Sequence, residues 1–123
     1  MIPAFLLILL VAMPAQAQRS GCGMGLGLEA LRVAERPLRD GLAAGSLSAG
    51  RMLGGAAADR LAEAAAQLEG CGCRQVAAHL RDAAGLAEEV RAEASLERLR
   101  RVLDRAAFSA GLARERLDRH GCS

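Results

Sequence analysis

Apolar residues recur along most of this chain at steps of three and four, the spacing of helices with one buried face. The pattern is clearest near the C-terminus. Leu96, Leu99, Leu103, Ala106, Ala110, Ala113 and Leu117 form one seam. Ser95 is placed to cap its start and Gly121 to stop it. Glu97 with Arg101, and Glu115 with Arg119, stand one turn apart on the wet side, in the order that favours pairing. A preceding helix from about Arg74 to Ala92 carries the seam Val76, Leu80, Ala83, Ala87 and Val90.

Upstream the periodicity is more interrupted. A first helix is expected from Leu28, through Leu31, Glu35, Leu38 and Leu42. Pro37 lacks an N–H and its ring crowds the preceding turn, so a kink or break is expected near Arg36. Gly45, Gly50, Gly54 and Gly55, with Ser46 and Ser48, read as a loop. A second helix would start at a Ser48 cap or after Gly55, bury Ala57, Leu61, Ala64 and Leu68, and end with Gly70 as the residue beyond its C-cap. Four amphipathic helices with short links predict an all-α, antiparallel up-down-up-down four-helix bundle. Paired tetratricopeptide-like hairpins are the rival, but the Trp, Tyr and Pro landmarks of that repeat are missing.

The first residues do not belong to that pattern. Ile2 to Val11 is almost wholly apolar, and Ala15-Gln16-Ala17 offers the small residues of a signal-peptidase site. The run is too short for a membrane anchor, which needs about 20 apolar residues. Arg19-Ser20-Gly21 precedes Cys22, and the charge at Arg19 argues against a lipoprotein. The expected organisation is a signal peptide over 1–17, a flexible glycine-rich segment over 18–27, and a bundle over 28–123, with no membrane span after cleavage and a periplasmic or secreted location.

Composition explains what such a bundle lacks. There is no Trp or Tyr, and Phe108 is the one aromatic outside the leader. Beyond the leader the β-branched residues are Val33, Val76, Val90 and Val102, which disfavours strands. The core must be Leu, Val, Met and much Ala, and each Ala buries little area at about 25 cal/mol/Å². A net charge of +2 and the lack of stacking aromatics argue against a nucleic-acid partner.

The four cysteines supply what the core lacks. Cys22 and Cys71 are 49 apart, and so are Cys73 and Cys122. On an up-down-up-down bundle all four fall at one end. In an oxidising compartment an even count points to disulfides. The pairing is either 22–71 with 73–122, or 22–73 with 71–122. Cys71 with Cys73 would close a very small ring. Each loop of about 50 residues is worth about 4 kcal/mol in the chain-entropy account. The alternative is a soft metal, Cu(I) or Zn, held by Cys71, Cys73, His120 and Cys122 with Cys22 or Met24 nearby.

Other chemistry is not evident. Gly21-x-Gly23-x-Gly25-x-Gly27 follows no strand and so is not read as a dinucleotide loop. His79 reads as a surface residue. No nucleophile–base set or paired-carboxylate pattern stands out, so no enzyme and no cofactor are expected. Phe108 and Leu112 lie one turn apart, off the seam of the last helix. They are either covered by wider packing or form a surface for a protein partner or a second copy.

Overall fold

The computed structural model describes residues 21–122, and the segment expected to be a signal peptide lies outside them. The described chain forms four helices: α1 (Met24–Leu42), α2 (Leu47–Gly70), α3 (Arg74–Glu89), extended by one 3₁₀ turn (Val90–Ala92), and α4 (Leu96–His120). They pack in sequence, α1 on α2, α2 on α3 and α3 on α4, with α4 closing back on α1 less extensively. The arrangement is an antiparallel four-helix bundle.

The core is leucine and alanine. Leu31, Leu61, Leu68, Leu80, Leu99 and Leu103 are fully buried, among Ala34, Ala57, Ala64, Ala83, Ala106 and Ala113. No polar or charged side chain is buried among the described residues. The expected seams of the last two helices are all buried or half-buried. Ser95 Oγ accepts from Arg98 N at 3.2 Å, so the predicted cap of α4 forms, and Gly121 ends it.

The first two helices differ from expectation, for a common reason. Helix α1 starts at Met24, inside the segment read as irregular, and Leu28 lies on its exposed side. Its buried face is Gly27, Ala30, Leu31, Ala34, Leu38 and Gly41. It runs unbroken through Pro37. Fully buried Ala34 and nearly buried Leu38 anchor it on both sides of the proline. Helix α2 starts earlier than either predicted point, capped by Ser46, whose Oγ accepts from Ala49 N at 3.1 Å. Ser48 is an exposed helical residue. Gly50, Gly54 and Gly55, expected in a loop, are buried in this helix. A Cβ on Gly54 would stand 2.4 Å from Val90 Cγ1, and one on Gly50 2.9 Å from Leu99 Cδ1. These glycines let neighbouring side chains reach the helix backbone, which offsets their low helix propensity.

The turn after α2 also shifts by two residues. Gly70 is helical, and Gly72 takes the left-handed conformation (φ 86°). Gly72 N donates to Glu69 O at 2.9 Å and Cys73 N to Leu68 O at 3.0 Å. This is a Schellman cap with Gly72 at its left-handed position. It sets Cys71 and Cys73 on either side of one reversal.

At the far end of the bundle the loops are held by arginines. Arg51 of α2 donates through both Nε and a terminal nitrogen to Glu93 O, in the link between α3 and α4. Arg100 of α4 donates to Ala44 O, in the link between α1 and α2, at 2.8 Å. Arg91 donates to Gly55 O at 2.9 Å and pairs with Asp59 and Glu88. Each link offers carbonyls with no helical partner, and Arg51 and Arg100 satisfy two of them, while Arg91 ties the end of α3 to α2.

Candidate functional site

The antiparallel order brings the start of α1, the end of α2, the start of α3 and the end of α4 to one pole. Two disulfides close there, Cys22–Cys71 and Cys73–Cys122, with Cα–Cα distances of 4.9 and 4.5 Å. Both distances are ordinary for a disulfide. Of the two pairings open from the sequence, the structure therefore shows the one that staples each helical hairpin separately. Cys73 is buried and the other three are half-buried, Cys71 and Cys122 of them against the core. No cysteine among the described residues is free.

The disulfides change what the cluster can do. A disulfide sulfur is not a thiolate, so in this oxidised form the four sulfurs offer no soft anionic ligands. His120 lies exposed at the end of α4, and Met24 packs against the core. His79 and His120 share an open cleft with Glu115 and Leu112. Among the described residues no three His, Cys, Asp or Glu side chains gather as a metal set would.

The second candidate is the outer surface of α4. Phe108 is 68% exposed, so helix packing does not cover it. Leu112 is half-buried. The two do not share one hollow. Phe108 borders a groove with Leu86, Asp104, Arg105 and Ser109, while Leu112 lines the cleft with His79.

A third feature was not anticipated. Helices α1 and α4 leave a groove of about 330 Å³ between them, floored by Leu38, Leu42 and Ala110. Arg114 bridges it to Glu35, with Nε–Oε1 at 2.8 Å. The sequence signal was present in the small residues Ala107, Ala110 and Gly111, which leave the seam unfilled opposite leucines.

No helix among the described residues is long and apolar enough to cross a membrane. No family model, curated protein or solved structure matches this chain.

Proposed function

We propose that this is a small periplasmic or secreted protein with no catalytic role, whose stapled bundle presents the outer surface of α4 to a protein partner. The observation that carries the reading is the closure of all four cysteines into two disulfides at one pole. Such bonds persist in oxidising compartments, and an apolar leader with an Ala-Gln-Ala site precedes them. Phe108 supports the binding half of the proposal, because it stands exposed beside a hollow that it shares with Leu86 of α3.

The experiment is an intact mass of unreduced protein recovered from its own compartment. A mass lower by about 4 Da than the all-thiol chain, starting at Gln18, is expected, since each disulfide removes two hydrogens. Four thiols titratable without denaturant, together with bound copper or zinc, would replace this reading with metal binding through the cysteine pole.

A further inference from the structure

The geometry points to a second copy of this chain as the partner of the α3–α4 face, in a two-fold dimer in which Phe108 of each copy enters the α3–α4 groove of the other. The inference rests on the reading of Phe108 as a contact surface and adds the identity of what covers it. Three observations carry it.

The face holds both a knob and a hole. Phe108 projects from α4 and is 68% exposed. Beside it runs a groove of about 390 Å³ between the two helices, lined by Gly85, Leu86, Glu89, Arg105 and Ser109. A Cβ added at Gly85 would meet nothing within 4 Å, so the groove is open above that residue. A two-fold contact is self-complementary by construction: the same patch supplies the knob and receives it.

The charges on the face are also self-complementary. Asp82 and Glu89 of α3 line the same groove as Arg105 of α4. None of the three makes an ion pair among the described residues. This is unlike Arg81, which pairs with Glu69, and Glu88, which pairs with Arg91. A patch carrying both signs, unpaired within one molecule, matches its own two-fold image. A uniformly acidic or basic partner would meet repulsion from half of it.

The extent of the face sets the class of contact. Helix α3 is 16 residues long, about 24 Å at 1.5 Å per residue. Two adjacent helices are about 20 Å wide. The area is then roughly 500 Å² per copy, or roughly 1,000 Å² in total, the lower limit for a specific interface. A dimer with Kd in the micromolar range is expected rather than an obligate one.

The test is sedimentation equilibrium on the disulfide-intact protein across micromolar to millimolar concentrations. Phe108→Asp and Gly85→Leu should each weaken dimerisation at least tenfold. Gly85→Leu fills the groove but removes an exposed helical glycine, so it should raise thermal stability while abolishing the dimer. That combination separates a lost interface from a damaged fold. Leu26→Asp, on the distant exposed face of α1, should leave the dimer intact. Arg105→Glu alone and Glu89→Arg alone should weaken it, and an equimolar mixture of the two chains should form the heterodimer. A chain that stays monomeric at all concentrations, or a dimer indifferent to Phe108→Asp and Gly85→Leu, overturns the second-copy assignment. Neither result bears on the disulfides or the compartment, which the mass measurement tests separately.

Discussion

The two ends of this bundle solve the same problem by different chemistry. Each end must hold together helices whose alanine-rich contact faces bury little area. At one pole Cys22–Cys71 and Cys73–Cys122 do so covalently. At the other, Arg51, Arg91 and Arg100 donate to backbone carbonyls in links or on a neighbouring helix. The disulfides act largely by restricting the unfolded chain, and reductant removes them. The arginine bonds act in the folded state, and neither redox change nor moderate acid affects a guanidinium. Reductant should therefore lower the stability of the whole domain, while loss of an arginine bond should loosen only the link it holds.

Removing the staples should have the largest effect. Cys22→Ser with Cys71→Ser is expected to cost about 4 kcal/mol, read as a lower urea midpoint. The same is expected of the Cys73–Cys122 pair. Reduction of both should remove most of the stability of a domain this small. A loss under 1 kcal/mol per staple would make the arginine pole, not the cysteine pole, the dominant constraint.

Next comes Gly54→Leu, which acts near the arginine pole. Its side chain would collide with Val90, and overpacking of this kind costs about 3 kcal/mol in thermal unfolding. Arg100→Met should cost less, about 1 kcal/mol, by leaving Ala44 O without its donor. Native-state hydrogen exchange sharpens the contrast: Arg100→Met should speed exchange near residues 43–46 and leave 70–74 unchanged.

The smallest effect is expected at Glu29, exposed on the early turns of α1. Its hydrogen bond from Arg32 holds the carboxyl below its usual pKa. A lowered folded value means the pair contributes above the unfolded pKa, about 4.3, and the contribution is lost as pH falls through the folded value. Both groups are well solvated, so Glu29→Gln should leave the acid limb of a stability–pH curve almost unchanged.

How legible all this was in the sequence also differs between regions. The seams of α3 and α4 could be read directly, because leucine and alanine at helical spacing between Ser95 and Gly121 admit few alternatives. The starts of α1 and α2 could not. Gly27, Gly50 and Gly54 read locally as breakers, yet Leu68, Leu99 and Val90 occupy the space a Cβ would need. That is tertiary information, absent from local propensity. The position of the cysteine pole followed from element order, but its pairing waited on which sulfurs the Gly72 reversal turned toward each hairpin. The arginine pole was hidden because a surface arginine and one that donates to a carbonyl look alike in sequence. Phe108 was identified as off-seam, and only packing could show that no described residue covers it.

The reversal at Gly72 has a mechanical consequence. Suppose the chain is pulled from Cys22 and Cys122. The shortest covalent path crosses the first disulfide to Cys71, passes through Gly72 and Cys73, and crosses the second disulfide. Both hairpins hang as closed rings beside that path. Tension would run through the tether and leave the four helices unloaded, so an oxidised molecule stretched between two attachments would extend hardly at all and keep its bundle folded.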